Sequence, residues 1–145
     1  MKCKFCTTIV NEPTFDIGNT AVSNDLITED RLNSPEKTYP LIFYVCPQCL
    51  LAQTEQYNEG HEIFSDDYVY FSSCSSYWLK HAKQYVEDIT TRLNLGKSSF
   101  VLEIASNDGY LLTNFVEKNI KCLGVEPTRS TAQEAIKKDV PTIVD

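Results

Sequence analysis

Four cysteines in two close pairs, and two carboxylates placed at the ends of apolar runs, hold most of the chemical potential of this sequence. The pairs are Cys3-x-x-Cys6 and Cys46-Pro47-x-Cys49. A C-x-x-C turn sets two thiolates around one ion, and two such knuckles complete the tetrahedron that Zn²⁺ takes. Residues 7–45, which separate the knuckles, exceed the roughly 15–20 residues of common zinc ribbons. A long gap is tolerable because loop-closure entropy grows only logarithmically with length. Four protein ligands leave no open position, so an ion there is structural. Chance clustering and a redox dithiol are the competing readings. Cys74 and Cys122 lack partners at such spacing and read as small buried hydrophobes.

The carboxylates are Glu103 and Glu126. Glu103 opens the stretch Glu103-Ile104-Ala105-Ser106-Asn107-Asp108-Gly109, between an apolar run and a helical pattern. A tight turn there lets backbone amides and a helix start approach a ligand. Only one glycine is present, against three in the dinucleotide pattern G-x-G-x-x-G. Glu103 would repel a pyrophosphate but suits a cation, and S-adenosylmethionine carries a sulfonium and an ammonium. Glu103, Ala105, Ser106, Asn107 and Gly109 are therefore candidate cofactor contacts. Glu126 ends the next apolar run, roughly 20 residues on, where a carboxylate can accept both hydroxyls of a ribose. Its plain alternative is a solvated surface carboxylate.

A third cluster, Asp66-Asp67-Tyr68-Val69-Tyr70-Phe71-Ser72-Ser73, offers phenols and hydroxyls beside the nucleotide site. Tyr68 and Tyr70, together with His81 one turn before Tyr85, are the candidates for catalytic contact. The plainer readings are an aromatic patch between regions for the tyrosines and a packing or surface residue for the histidine. His61 reads as a solvated loop residue.

These residues need elements to hold them. Residues 1–64 show short apolar runs and turn formers. Tyr39–Val45 reads as a strand and Leu50–Thr54 as its hairpin partner. From Tyr77 to Leu95 the positions Leu79, Ala82, Val86, Ile89 and Leu93 recur at helical spacing, with Ser75 or Ser76 as cap and Gly96 as stop. Phe100–Ala105 is a strand, Leu111–Val116 a helical pattern, and Lys121–Glu126 a strand ended by Pro127. A helix follows from Thr128 or Ser130 with Ala132, Ala135 and Ile136 on one face, then a strand from Pro141. The fold class expected is α/β. A zinc-binding domain (1–64) leads to a connecting loop and helix (65–95), then to the β-α-β-α-β first half of a Rossmann-like domain (96–145). In the full sheet the first strand is central. In a half sheet it becomes an exposed edge, to be covered by further sequence, a partner or self-association.

Across its 145 residues the chain carries a formal charge of -7. That sign disfavours phosphate backbones, and with no basic stripe a nucleic-acid partner is not expected. An apolar run of about 18 residues is missing, as is a signal-peptide pattern, so no membrane partner and a cytoplasmic location are expected.

The order of motifs resembles the sugar C-methyltransferases, which act on nucleotide-linked 4-keto-deoxysugars and carry an N-terminal zinc-binding domain. The matching residues are Cys3-x-x-Cys6, Tyr39-Pro40-Leu41, Val45-Cys46-Pro47-x-Cys49, Leu51-Ala52-Gln53, Asp67-Tyr68-Val69-Tyr70-x-Ser72-Ser73 and His81-Ala82. They continue through Val101–Gly109 and Leu123-Gly124-Val125-Glu126-Pro127. Ala105 departs from the glycine usual in the family. The resemblance implies zinc and S-adenosylmethionine as cofactors and a nucleotide-linked sugar as substrate. It also implies a reaction in which a base takes the proton beside the sugar ketone and the enolate attacks the methyl group. In the family, the base and many sugar contacts lie beyond the region matched here. An N-terminal fragment of this length is expected to be inactive alone. The alternatives are a noncatalytic zinc module docking on a partner or itself, and a nicotinamide-dependent dehydrogenase, against which stand Glu103 and the missing glycines.

Overall fold

The run Tyr39–Val45, dense in aromatic and β-branched residues, is extended as its composition dictates. It lies within the middle strand of a three-stranded antiparallel sheet, formed by β1 (Phe15–Ala21), β2 (Thr38–Val45) and β3 (Ala52–Thr54). The structure is a computed structural model describing residues 1–65 and 68–145, with the backbone alone for His61. Pairing runs Phe15↔Phe43 and Phe43↔Thr54, and β1 bulges between Asp16 and Asn19. At the bulge Gly18 takes a φ of +86° and donates its N–H to the Asp16 carboxylate. Its core is small: Cys3, Val10, Tyr44 and Cys46 are buried, with Met1, Cys6, Ile42 and Cys49 around them. A single helical turn, α1 (Gly60–Ile63), follows, so His61 belongs to a helical turn and not to a loop.

The chain divides into two units, Met1–Ile63 and Phe64–Asp145. In the second, a short turn at Ser72–Cys74 precedes α2 (Ser76–Arg92). Ser75 caps α2, its hydroxyl accepting the Trp78 N–H at 3.2 Å. Then come β4 (Phe100–Ile104), α3 (Thr113–Glu117), β5 (Lys121–Glu126), α4 (Arg129–Lys137) and β6 (Thr142–Val144). The strands are parallel in the order β4-β5-β6, with Ile104↔Val125 and Val125↔Ile143 in register. This is the α/β half sheet that the sequence implies.

One face of the sheet carries the core, where Val86, Leu112, Phe115, Ile120, Cys122, Ala135 and Val140 are buried together. The side chains of opposite parity are open: Phe100, Leu102 and Ile143 are exposed, and Ile104 on edge strand β4 is 78% exposed. Only the middle of the expected α2 face is buried, at Ala82 and Val86, while Leu79 and Leu93 stay exposed. In α4 the buried face is Thr131, Ala132 and Ala135, and Ile136 is 50% exposed. Thr131 displaces Ile136 because its hydroxyl has a buried carboxylate to meet. Cys122 is buried as expected, but Cys74 is exposed.

All three longer helices stop in the same way, and not at glycine. Asn94, Asn119 and Asp139 adopt left-handed φ of 50°, 57° and 60°. Each donates its N–H three residues back, and the next residue, Leu95, Ile120 or Val140, donates five residues back. That is the Schellman arrangement, with an apolar residue after the left-handed one packing on the core. Gly96, two positions past Asn94, is not the stop.

Candidate functional site

Both cysteine knuckles share one backbone design. The N–H of Thr7 donates to the Cys3 carbonyl and that of Leu50 to the Cys46 carbonyl, each at 3.0 Å. Cys3 and Cys46 return their own N–H groups to Thr8 and Leu51. Thr7 and Leu50 close these turns with φ near +60°. Leu50 therefore belongs to the knuckle, and β3 starts only at Ala52. The sulfurs converge: Cys3 to Cys49 is 3.6 Å and Cys6 to Cys46 is 3.5 Å. All four lie within 4.8 Å of one another. A zinc ion with Zn–S bonds of about 2.3 Å places its ligands about 3.8 Å apart, so the donor set fits a tetrahedral ion.

Electrostatics point the same way. The Cys6 N–H, with help from Gln53, holds Cys3 down to about 6 despite burial. The Thr8 hydroxyl and N–H lower Cys6. At Cys49 the Leu51 N–H pulls the pKa down, but burial and the three neighbouring sulfurs outweigh it and push it up to about 12. Four thiolates this close repel one another, and a divalent cation relieves the repulsion. Four sulfurs leave no position open, so an ion held there would be structural.

The second constellation lies at the carboxyl ends of the parallel strands, the usual ligand crevice of open α/β sheets. After β4 the backbone alternates through left-handed residues at Ala105 (φ 59°), Asn107 (φ 51°) and Gly109 (φ 73°). A side chain in this region costs about 1–2 kcal/mol, which explains why glycine suits position 105. The Ala105 side chain is exposed. Gly109 is required for space, since a Cβ there would meet Ala135 at 3.0 Å and Val140 at 3.1 Å. Ser106 is fully buried and anchors the loop by donating its N–H to the Val125 carbonyl at 3.2 Å.

Glu126 is the centre of this loop system and only 4% exposed. Its Oε2 accepts the Asn107 N–H at 2.7 Å, and its Oε1 accepts the Thr128 N–H at 3.0 Å and the Thr131 hydroxyl at 3.1 Å. One carboxylate thus fastens the loop after β4 to the start of α4. Glu103 is different. It is half-buried, and its Oε2 has no hydrogen-bond partner among the described residues. Burial, then the Glu126 charge, push its carboxyl up to about 7.

The Asn107 side chain turns away from the loop: its Oδ1 accepts the Ser72 N–H at 2.8 Å, and its Nδ2 donates to the Tyr70 carbonyl at 3.1 Å. Tyr68 stands edge-on to Phe64, its carbonyl accepting the Ser130 hydroxyl at 3.5 Å, and the Tyr70 side chain is half exposed. Asp66 and Asp67 of that segment lie outside the described residues. His81 is exposed and stacks on Trp78 at 5.1 Å, in the wall of a cavity of about 170 Å³ shared with Tyr85 and Tyr110.

Two residues escaped the sequence reading. Asp108 is buried and paired with Lys138, whose Nζ reaches its Oδ2 at 3.1 Å and its carbonyl at 2.9 Å. Tyr110, whose ring lies 6.1 Å from that of Trp78, has its phenol raised by burial and then by the Glu103 charge. The signal was available in its position directly after Gly109.

Comparison with known proteins bears out the resemblance. Residues 3–64 match a methyltransferase family model described as "Putative zinc binding domain". The C-methyltransferase NovU of Streptomyces niveus is 28% identical over 126 residues, which cover 87% of this chain and 30% of that protein. The chain thus spans under a third of the curated relative it matches. A crystal structure of a SAM dependent methyltransferase from Archaeoglobus fulgidus aligns over 49% of this chain and 35% of its own, with 19% identity and a TM-score of 0.34.

Proposed function

We propose that the chain is the N-terminal part of an S-adenosylmethionine-dependent C-methyltransferase of a nucleotide-linked keto-deoxysugar. In this reading residues 1–64 are its zinc-binding domain, 65–95 a connecting loop and helix, and 96–145 the first half of the cofactor domain. Similarity to a C-methyltransferase along most of the chain supports the class. The observation that carries the cofactor is Glu103, a half-buried carboxyl with an unpartnered oxygen beside a second carboxylate whose oxygens are already engaged. Such a pair calls for a ligand bringing positive charge and hydrogen-bond donors. S-adenosylmethionine brings both, and when bound it supplies the electrophilic methyl group. Glu103, the buried Ser106 and the backbone of Ala105, Asp108 and Gly109 would hold it. Glu126 orders the two loops, and a ribose contact there would exchange with the Asn107 N–H. Tyr68, Tyr70 and Tyr110 are the groups of this region that would face a substrate. The general base is assigned to residues outside this chain, so the chain alone binds cofactor without turnover. Paired C-x-x-C thiolates suited to a metal fit a reducing compartment, and the proposed location is the cytoplasm.

Calorimetry of the zinc-loaded chain with S-adenosylmethionine, NADH and the Glu103→Gln variant tests this. The expected result is binding of S-adenosylmethionine alone, weakened about tenfold or more in the variant, the effect of losing a charge-assisted hydrogen bond. A folded chain that binds neither ligand overturns the proposal. It would favour a noncatalytic zinc module, a reading that the open apolar face of β4 supports.

A further inference from the structure

The loop residue Asn107 has two separate tasks. Its backbone, in the left-handed conformation that asparagine tolerates better than most residues, gives its N–H to Glu126. Its side-chain amide gives and takes one hydrogen bond each with the main chain of Tyr70 and Ser72. One donor and one acceptor of the amide are thus engaged by a strap of backbone 35 and 37 residues earlier in the chain. The same strap is held a second time where the Ser130 hydroxyl, in the first turn of α4, meets the Tyr68 carbonyl. One end of Tyr68–Ser72 is therefore tied to the first turn of α4 and the other to the loop after β4. The strap bears Tyr68 and Tyr70 and runs directly into the Ser72–Cys74 turn that leads to the cap of α2.

We propose that Asn107 is a positioning residue: its side-chain amide sets the register of the Tyr68–Ser72 strap against the cofactor loop, so that the strap tyrosines border the site, and it is not itself a cofactor ligand. This rests on the cofactor reading above. It differs from the sequence-based expectation, in which Asn107 contacts the cofactor. An amide that reads one N–H and one C=O two residues apart acts as a short piece of β-ladder. Aspartate can supply only its accepting half, and glycine neither half.

Asn107→Gly isolates the side chain, because glycine keeps the left-handed φ and the N–H to Glu126. In the zinc-loaded full chain, hydrogen exchange at the Ser72 amide should speed up about tenfold in Asn107→Gly, the effect of one lost hydrogen bond. Asn107→Asp should restore most of that protection. The affinity for S-adenosylmethionine should change less than about threefold in the glycine variant, against tenfold or more in Glu103→Gln. Fluorotyrosine resonances of Tyr68 and Tyr70 should shift on cofactor addition in the unmodified chain, and that response should be lost in Asn107→Gly. Unchanged Ser72 exchange overturns the proposal, as does a tenfold loss of cofactor affinity in Asn107→Gly or a retained tyrosine response. If the unmodified chain binds no S-adenosylmethionine, the proposed function fails, and the clamp is then decided by Ser72 exchange alone.

Discussion

Two of the four buried residues in the core cluster of Met1–Ile63 are cysteines of the four-sulfur group, whereas the seven in that of Phe64–Asp145 are an ordinary apolar cluster drawn from helices, turns and a strand. The first unit is organised around sulfur and leaves Phe5, Phe15, Ile17 and Leu50 exposed. The second is organised around side-chain packing, with its polar network confined to the strand ends. Stability in the one is a matter of ion occupancy and in the other of volume. The two should respond to different insults.

Removing the metal separates them most sharply. Structural zinc in small domains is coupled to folding by an apparent ~10–16 kcal/mol near neutral pH. Chelation, or Cys46→Ser, should abolish amide protection in 1–63 and leave α2 and the parallel sheet protected, as followed residue by residue by hydrogen exchange. Uniform loss across both units would break the comparison. The converse is Leu112→Ala, at a fully buried site. It should destabilise the second unit by about 2–5 kcal/mol with zinc content unchanged, measured by denaturant unfolding alongside metal analysis.

A smaller effect has a definite sign in pH. Glu103 holds its proton more tightly in the folded chain than in the unfolded one, where a carboxyl titrates near 4.3. Its contribution is therefore fully present below that value and is lost as pH rises through about 7. Glu103→Gln should flatten the stability of the second unit between those limits and leave the zinc unit's profile unchanged. A profile of unchanged slope would mean that the carboxyl is not held protonated. Smallest is Leu50→Gly. Leu50 is 75% exposed with a left-handed φ, so glycine should relieve strain and stabilise the zinc unit by about 0.5–1 kcal/mol. Destabilisation in thermal unfolding would show that the knuckle depends on the leucine side chain.

The parts that could be read from the sequence are those encoded over a few residues. Cysteine pairs at C-x-x-C spacing, the aromatic run at 39–45 and the alternation of strand and helix after residue 100 are local patterns, and they fold as they read. What escaped is encoded by partners far along the chain. Thr7 and Leu50 give no hint of left-handed backbone, since that conformation comes from closing a turn around sulfur. Ile136 looks like core, but the hydroxyl of Thr131 wins the buried position through a carboxylate five residues back. The sequence reading named Gly96 as the stop because glycine is the commoner helix end, yet Asn94 followed by the apolar Leu95 marks the true one. In the candidate site, Glu103 and Glu126 could be picked out by position, while the side-chain bonds of Asn107 could not.

The strand order β4-β5-β6 also bears on how the second unit can be made. Each strand pairs with the one synthesised just before it, and the connections between them, 105–120 and 127–141, are short enough for helices to form while the chain is still emerging. Assembly can therefore proceed in the direction of translation, with every new strand meeting an edge already in place. The strands of the first unit, β1-β2-β3, pair in chain order as well, but its cysteine site does not close that way. Cys3 and Cys6 leave the ribosome first and must wait for Cys46 and Cys49 before an ion can be fully enclosed.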